Sequence, residues 1–159
     1  MSDVRVACRI NGEEVTLEGP ALGRLLDAVR AFGLTGAKEG CGEGECGACA
    51  LIVNGDLVNS CLMPLRHAEG TDIVTIEGIG RPEQLHPLQE AFIACGAAQC
   101  GICTPGMLLA SVTLLDRNTN PTDEEIASAL AGNLCRCTGY MRIYEAVRQA
   151  ADRIPRPLT

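Results

Sequence analysis

The sequence predicts an α+β protein in which a small mixed β-sheet with one packed helix comes first and a four-helix bundle follows. Three observations support this fold class. Apolar residues alternate around two Asn-Gly turns in the first half of the chain, and they recur at helical spacing in the second half. The ten cysteines among 159 residues fall mainly into two groups, one in each half. The length suits one ordinary domain or two small ones, and we expect two.

Five short stretches are predicted to be strands, at residues 4–10, 15–17, 50–53, 57–58 and 73–76. In the first of them apolar side chains alternate with more polar ones, which is the period-two pattern of a half-buried strand. Asn11-Gly12 and Asn54-Gly55 each predict a tight hairpin turn. Two hairpins, one further strand and a packed helix describe a mixed sheet.

Helical spacing of apolar residues predicts one helix in the first half and four in the second. The first helix would start at Pro20, where a proline is tolerated, and stop at Gly33. The other four would begin near Pro87, Pro105, Thr122 and Tyr140. Thr122 opens a capping-box pattern, and the helix after Pro105 is mostly apolar all round, so it should be buried. The short loops between these helices favour a compact bundle.

The stretch Gly-Ile-Gly-Arg-Pro-Glu at residues 78–83 has the composition of a linker. We therefore predict two domains, at residues 1–78 and 84–154, and a loose tail at residues 155–159. The last helix of the second domain would run to about Arg153. Each domain would then hold one of the two cysteine groups.

Charge and hydropathy argue against several functional classes. The formal net charge is −7 and the acidic residues are spread along the chain, whereas a protein that binds nucleic acid needs a basic face. The apolar runs fall far short of the roughly 20 residues that a membrane-spanning helix requires. The first seven residues lack the pattern of a signal peptide, so we expect a cytoplasmic protein. In that reducing compartment, clustered cysteines bind metal or do redox chemistry more often than they form a disulfide framework.

The first cysteine set is Cys41, Cys46 and Cys49, in a stretch that also holds glycines at positions 40, 42, 44 and 47. Gaps of four and then two residues are the plant-type ferredoxin spacing for a [2Fe–2S] cluster, and Cys61, after the second hairpin, is the expected fourth ligand. Glycines let such a loop bring backbone N–H groups against sulfur, often with positive φ. The alternative is a four-cysteine zinc site, but zinc ligands usually come as two close doublets.

The second cysteine set is a CxxC pair, Cys100 and Cys103, followed by a CxC pair, Cys135 and Cys137. A thioredoxin-like dithiol would need a βαβ context, whereas these surroundings are predicted to be helical. The dipeptide Cys103-Thr104 recurs as Cys137-Thr138, and each threonine is predicted to cap the helix that follows it. Four thiols that meet at two helix starts suit a second [2Fe–2S] cluster, because helix N-termini favour anionic centres.

The other candidate residues have simpler interpretations. Cys8 and Cys95 fall on apolar faces of predicted elements and should be buried in the core. His67 and His86 lack a patterned carboxylate or cysteine partner, so the sequence suggests no catalytic acid or base. Three glutamates around the first set would suit a docking surface, although a solvated loop is the simpler interpretation; they are Glu39, Glu43 and Glu45.

Three motifs occur in a fixed order along the chain. They are GCGEGECGAC at residues 40–49, QCGICTPGM at residues 99–107 and GNLCRCTGY at residues 132–140. Together they resemble the small iron–sulfur subunit of the molybdenum hydroxylase (xanthine oxidase/dehydrogenase) family, over nearly the whole length of the chain. One small departure is Ile102, where relatives more often have an aromatic residue. The resemblance implies a ferredoxin-like β-grasp domain with one cluster and a four-helix domain with the other.

The resemblance also implies cofactors and partners that spacing alone does not. In this family the helical-domain cluster lies nearest to a molybdopterin cofactor, in dinucleotide form, on a separate large subunit. Carried over, Cys137 would be closest to the pterin and Gln99 would hydrogen-bond to it. The family hydroxylates N-heteroaromatic (purine-like) or aldehyde substrates, with water as the oxygen source. The chain would be an oxidoreductase subunit without catalytic residues of its own, relaying single electrons through both clusters, usually to FAD on a medium subunit.

A free-standing two-cluster ferredoxin is the alternative to an electron-transfer subunit. A ferredoxin would have a mostly polar helical half, whereas a subunit should have an apolar contact area there. The residues that choose the substrate belong to the large subunit of such a complex. The terminal acceptor, a flavin subunit, dimerisation and export on a partner's signal are left open by this sequence.

Overall fold

The computed structural model describes residues 3–154, and the predicted loose tail at residues 155–159 lies outside them. The first part contains strands β1 (Asp3–Ile10), β2 (Glu13–Pro20), β3 (Ala50–Val53), β4 (Asp56–Asn59) and β5 (Asp72–Val74), with helix α1 (Leu25–Ala31) between β2 and β3. The second part contains helices α2 (Pro87–Ala94), α3 (Thr104–Arg117), α4 (Asp123–Leu130) and α5 (Met141–Ala151). Short 3₁₀ turns at Leu65–Ala68 and Ile76–Gly78 flank β5. The predicted α+β class is confirmed.

The five strands form one mixed sheet in the order β2-β1-β5-β3-β4. Strand β1 pairs antiparallel with β2 and parallel with β5, and β3 pairs antiparallel with both β4 and β5. Both predicted hairpin turns are present. Asn11 and Asn54 have φ of 52° and 50°, and the glycine after each also has positive φ. Such turns match the right-handed twist of the strands that they join.

Helix α1 starts later than the sequence predicts. Pro20 is the last residue of β2, where it pairs with Asp3 at the end of the β1–β2 ladder. The chain then turns, with Gly23 N donating to Pro20 O at 2.8 Å, and the helix begins at Leu25. A proline is compatible with either element, so strand pairing rather than local propensity decides this boundary.

Strand β5 ends earlier than predicted, at Val74, because the side chain of Asn11 pairs with the next residue. The Asn11 amide oxygen accepts from Thr75 N at 2.9 Å, and its amide nitrogen donates to Thr75 Oγ1, also at 2.9 Å. The turn residue of the first hairpin therefore takes the place of a strand partner and fixes the exit from the sheet.

Each half of the chain has its own apolar interior. The first core lies between the sheet and α1 and includes Leu25, Leu51, Leu65 and Ile73. The second core lies among α2 to α5 and includes Leu88, Met107, Ile126 and Ile143. Half of the residues of α3 are buried, as its all-round apolar sequence predicts. No helix within residues 3–154 combines the length and the apolar composition needed to cross a membrane.

Helix α3 connects the two halves, because it packs against strands β3 and β4. Leu57 on β4, with Ile76 and Ile79 beyond β5, packs on the helical core. At the edge of this contact Arg117 donates to Asp56 Oδ1 at 2.8 Å. That ion pair is exposed and contributes little, so apolar packing is the main stabilising term between the halves.

Two helices begin with capping boxes, one predicted and one not. Thr122 Oγ1 accepts from Glu125 N at 3.3 Å and Glu125 Oε2 accepts from Thr122 N at 2.7 Å, which confirms the predicted cap of α4. His86 caps α2: its Nδ1 accepts from Leu88 N at 3.2 Å, while Gln89 Oε1 accepts from His86 N at 2.9 Å. A histidine can act as this acceptor only in its neutral form.

The predicted caps at Thr104 and Thr138 are wrong. Thr104 is already the first residue of α3, and the residue before it, Cys103, makes no side-chain cap. Tyr140, with φ of 67°, precedes α5 and also makes no side-chain cap. The Thr138 hydroxyl instead lies against the sulfur of Cys135, in the loop before that helix.

Candidate metal centres

The first cysteine set lies in the loop between α1 and β3 and at the end of β4. Its sulfurs run from the surface into the core: exposed at Cys41, half-buried at Cys46, and buried at Cys49 and Cys61. Backbone N–H groups point at the outer two sulfurs. Those of Glu43 and Glu45 donate to Cys41 Sγ at 3.4 and 3.3 Å, and Cys41 N donates to Cys46 Sγ at 3.4 Å.

Glycine is required at two points of this loop. A Cβ on Gly40 would lie 2.7 Å from Cys46 Sγ, so a side chain there would push the sulfur away. Gly47 has φ of 68°, a conformation that other residues rarely adopt. The predicted close approach of backbone to sulfur is confirmed at Gly40, and the predicted positive φ is confirmed at Gly47.

The sulfurs of the first set come as two pairs. Backbone hydrogen bonds, above all from the Glu43 N–H, lower the pKa of Cys41 to about 7, and the Cys46 side chain adds to this effect. Burial, followed by contact with the Cys49 thiol, raises the pKa of Cys61. Cys41 therefore lies beside Cys46, and Cys49 lies beside Cys61. The outermost cysteine, Cys41, favours a thiolate, and the inner pair is shielded from water.

The second cysteine set is also arranged as two pairs, one outer and one inner. Cys100 and Cys137 are exposed, with 3.6 Å between their sulfurs, and this contact is the main cause that raises the pKa of Cys137. Cys103 is buried against Cys135, and burial, more than that contact, raises the pKa of Cys103 to about 12. Burial is the largest single influence on Cys135 and acts to raise its pKa, but hydrogen bonds from Thr138, the Cys137 backbone and Cys103 together lower the pKa.

Paired sulfurs suit a binuclear cluster, because each iron of a [2Fe–2S] centre takes two thiolates and two bridging sulfides. Structural zinc, by contrast, takes four ligands around one ion. The N–H groups aimed at Cys41 and Cys46 are donors of the kind that an anionic cluster needs. Both sets therefore fit a [2Fe–2S] cluster, which supplies a one-electron redox centre when bound.

The loops that hold the two sets contact each other directly. Leu134 N donates to Cys46 O at 2.9 Å, and the side chain of Asn133 donates to Gly47 O at 3.0 Å. Asn133 is a buried polar residue, only 2% exposed. A Cβ on Gly47 would collide with Asn133 Nδ2, and one on Gly106 would collide with Gly47 O. The backbones of the two loops therefore pack directly against each other, and the side-chain amide of Asn133 lies between them.

Sequence reasoning does not identify Asn133 or Gly106 as contact residues. The available signal is their place in the motifs, since Asn133 stands two residues before Cys135 and Gly106 three residues after Cys103. Which segment they would contact depends on how the two halves pack, and no local pattern encodes that.

Gln99 lies on the exposed edge that also carries the outer pair of the second set. It is exposed and immediately precedes Cys100, whose sulfur contacts that of Cys137. The resemblance implies contact with a pterin for Gln99 and Cys137. Both are exposed, and Cys100, the neighbour of Gln99 in the chain, contacts Cys137 through sulfur.

The remaining candidates behave as ordinary structural residues. Cys8 and Cys95 are 2% and 6% exposed, so their predicted burial in the core is confirmed. Glu39 Oε1 accepts from Arg24 Nη1 at 2.6 Å, and this hydrogen bond lowers the pKa of Glu39. Of the two histidines, one is exposed in a 3₁₀ turn and the other caps α2.

A sheet half and a helical half, each with two sulfur pairs, define a two-cluster iron–sulfur protein. Residues 8–72 match the family described as 2Fe-2S iron-sulfur cluster binding domain, and residues 75–148 match the [2Fe-2S] binding domain. The nicotinate dehydrogenase small FeS subunit of Eubacterium barkeri is 49% identical over 154 residues, which cover 96% of this chain and 98% of that subunit. The chain belongs to the molybdenum hydroxylase family, as a small iron–sulfur subunit that transfers electrons.

Two further relatives show how such a chain is used elsewhere in the family. Quinoline 2-oxidoreductase from Pseudomonas putida 86 contains a chain of the same fold, with a TM-score of 0.91 and 39% identity over 94% of both chains. Aldehyde oxidoreductase of Megalodesulfovibrio gigas is 44% identical over 89% of this chain, which spans only 16% of that enzyme. The same unit therefore occurs as a separate subunit and as one part of a larger polypeptide.

Proposed function

We propose that the chain carries single electrons from a molybdopterin cofactor, bound in dinucleotide form by a large subunit, to FAD on a medium subunit. The second cysteine set receives the electrons and the first set passes them on. The observation that carries the proposal is the exposed Cys100–Cys137 sulfur pair, with 3.6 Å between its sulfurs. A ligand pair at the surface brings a cluster within electron-transfer reach of a cofactor on another chain.

The ligand sets and domains of the proposal follow the sequence. The first cluster is held by Cys41, Cys46, Cys49 and Cys61 in a ferredoxin-like β-grasp domain at residues 1–78. The second is held by Cys100, Cys103, Cys135 and Cys137 in a four-helix domain at residues 84–154. Separate apolar cores and paired sulfurs support this layout.

The direct contact between the cysteine loops supports a relay rather than two independent sites. The first set has one exposed ligand and the second set has two, and the loops touch between them through Leu134 N and Cys46 O, at 2.9 Å. Electrons can thus enter at one exposed ligand and leave at another without crossing bulk solvent. A hydroxylation releases two electrons, and such a relay removes them in two one-electron steps.

Exposed apolar side chains favour a subunit over a free-standing ferredoxin. Four that belong to the helical half are Ile93, Ile102, Leu134 and Met141, exposed by 71%, 49%, 55% and 67%. Ile102 and Leu134 lie within the loops that carry the second cysteine set. An apolar rim around an exposed cluster is the surface that a permanent partner would bury.

Gln99 is proposed to hydrogen-bond to the pterin through its side-chain amide, which offers both a donor and an acceptor. Gln99→Ala should leave both clusters assembled but weaken binding of the molybdenum subunit and slow turnover. Gln84→Ala, at an exposed position directly after the linker, is the matched control and should leave both unchanged. If Gln99→Ala removed a cluster, the proposed position of Gln99 would be wrong.

The proposed substrate class is an N-heteroaromatic ring, with aldehydes as the second candidate. The two relatives that this chain spans as whole subunits are named for nicotinate and quinoline. The aldehyde-named relative is a much longer polypeptide in which this chain covers a small part. The complex is proposed to work in the cytoplasm, where the cluster thiols stay reduced, and to be able to dimerise.

Isolation of the native complex tests this function. The tagged chain should bring down one large subunit with molybdenum and one medium subunit with FAD. Under anaerobic conditions a pyridine carboxylate or purine should bleach the cluster absorbance, and an aliphatic aldehyde should do so more slowly. A tagged chain that purifies alone, as a soluble monomer with both clusters, would favour the free-standing ferredoxin.

A further inference from the structure

The segment from Cys135 to Tyr140 folds back on itself so that Thr138 faces the sulfur of Cys135. Thr138 Oγ1 lies 3.1 Å from Cys135 Sγ, and the Thr138 N–H also points at that sulfur, at 3.5 Å. Tyr140 N donates to Thr138 Oγ1 at 3.2 Å. The Tyr140 hydroxyl accepts from Cys135 N at 2.9 Å and closes the loop at its other end.

The neighbours of the Thr138 hydroxyl fix the direction of its bond to sulfur. Because the Tyr140 N–H can only donate, Thr138 Oγ1 accepts from it and keeps its own proton for another acceptor. A cysteine sulfur bound to iron is a thiolate and has no proton to give. We propose that the Thr138 hydroxyl donates a hydrogen bond to Cys135 Sγ and thereby raises the reduction potential of the second cluster. This inference rests on the ligand set proposed above.

The effect on potential follows from where the added charge goes. Reduction puts one more negative charge on the cluster and its sulfur ligands, so a donor at sulfur stabilises the reduced state more than the oxidised one. Hydrogen bonds to ionised acceptors are also stronger than neutral ones. Within residues 3–154, the hydrogen bonds to the sulfurs of Cys41 and Cys46 come from backbone N–H groups. The hydroxyl of Thr138 adds a side-chain donor to the second set.

Tyr140 holds the Thr138 hydroxyl in place. Gly139 and Tyr140 both have positive φ, 64° and 67°, and such a conformation in a tyrosine persists only where its surroundings fix it. The Tyr140 ring packs on the helical core, 6.2 Å from the ring of Tyr144. Tyr140 is therefore a positioning residue that acts through Thr138.

Two substitutions at one position test the inference on the full chain with both clusters reconstituted. Thr138→Val removes the hydroxyl at nearly constant volume, and Thr138→Ser keeps it. In EPR-monitored redox titrations, Thr138→Val should lower the equilibrium constant for electron uptake by the second cluster about tenfold, which is about 59 mV for a one-electron couple. Thr138→Ser should restore the wild-type midpoint, and the first cluster should not shift.

Thr113→Val is the matched control, because the Thr113 hydroxyl donates to Leu109 O at 3.0 Å and touches no sulfur. An unchanged second midpoint in Thr138→Val, or an equal shift in Thr113→Val, overturns the inference while leaving the proposed function intact. A single EPR signal in the wild-type chain overturns the ligand set instead. If Thr138→Val does not assemble the second cluster, proton ENDOR on the reduced wild-type cluster provides the test. A strongly coupled, rapidly exchanging proton supports the hydroxyl donor, and the absence of such a proton overturns the inference.

Discussion

The side-chain amide of Asn133 donates a hydrogen bond to the carbonyl of Gly47 at 3.0 Å, across 86 positions of the sequence. One partner stands two residues before Cys135, and the other directly follows Cys46. The bond therefore joins the loops of the two cysteine sets, next to a backbone bond between Leu134 N and Cys46 O. A fixed contact at this point holds the two clusters at one separation.

Loss of the Asn133 amide should destabilise the chain and loosen the contact between the clusters. Asn133→Ala removes this hydrogen bond, while the Gly47 carbonyl keeps its backbone donor, Ala50 N at 3.1 Å, so the expected cost is about 0.5–1.5 kcal/mol. Urea denaturation of the loaded chain should show the lower stability, and the spin–spin broadening of the EPR signals of the two reduced clusters should change. Asn120→Ala, on the exposed side of the α3–α4 loop, is the control and should alter stability by less than about 0.5 kcal/mol. Equal stability of the two variants would contradict the importance of the inter-loop bond.

Two glycine substitutions separate backbone strain from loss of space. Gly47 and Gly55 have similar positive φ, 68° and 86°, but a Cβ on Gly55 meets nothing within 4 Å, whereas one on Gly47 collides with Asn133. Both changes to Ala should cost about 1–2 kcal/mol for the left-handed conformation. Gly47→Ala should cost about 1–3 kcal/mol more, because the halves must move apart. Thermal denaturation of both variants measures the difference, and a Gly55→Ala variant as unstable as Gly47→Ala would rule out the steric explanation.

Removal of one proposed ligand should abolish one cluster and spare the other. Cys49→Ser should lower the iron content from about four to about two atoms per chain and remove one EPR signal, because each cluster lies in a half with its own core. Cys8→Ser is the control: that cysteine is equally buried, at 2% exposed, but belongs to neither set. The Cys8→Ser variant should have a lower free energy of unfolding and keep both EPR signals. Loss of both signals in Cys49→Ser would mean that the two sites do not assemble independently.

The cap formed by His86 predicts a stability that depends on pH. Burial lowers the pKa of His86 from 6.5, against a smaller opposite effect of Asp116. The ring accepts from Leu88 N only while it is neutral. A lowered pKa means that the unfolded chain takes up the proton first. The contribution of this cap is therefore complete above about pH 6.5 and is lost as the pH falls from there through the folded pKa.

His86→Asn keeps an acceptor at the start of α2 but does not titrate. Between about pH 8 and about pH 5.5, the stability of the wild type should fall more steeply than that of this variant. His67→Asn, at an exposed position, should leave the wild-type slope unchanged. Parallel curves for wild type and His86→Asn in urea titrations would refute the histidine cap as the cause.

Local sequence was enough to predict the elements of this protein. The Asn-Gly pairs predicted both hairpin turns, because both residues of such a turn accept positive φ. Thr122 with Glu125 predicted the start of α4, because a capping box is complete within four residues. Boundaries set by distant contacts were predicted less well. Pro20 belongs to a strand because it pairs with Asp3, and β5 stops at Val74 because Asn11 binds the next residue.

The threonine caps were predicted wrongly for a related reason. The pattern Cys-Thr before a helix is compatible with a cap, but the Thr138 hydroxyl binds the Cys135 sulfur, which the fold-back of the chain brings to it. No scale of helix-capping preference includes such a partner. The same fold-back puts Tyr140 at positive φ, which sequence alone would not assign to a tyrosine.

The spacing of Cys41, Cys46 and Cys49 by itself predicted the first [2Fe–2S] cluster, because ligands a few residues apart on one loop converge locally. The second cluster was predicted from two cysteine pairs on separate loops together with the motifs that contain them. The tertiary structure alone decided which sulfurs lie side by side, which of them reach the surface, and that Asn133 meets Gly47. Those outcomes depend on how two separately packed cores dock through α3, and docking is set by the shapes of whole surfaces rather than by any one stretch of sequence.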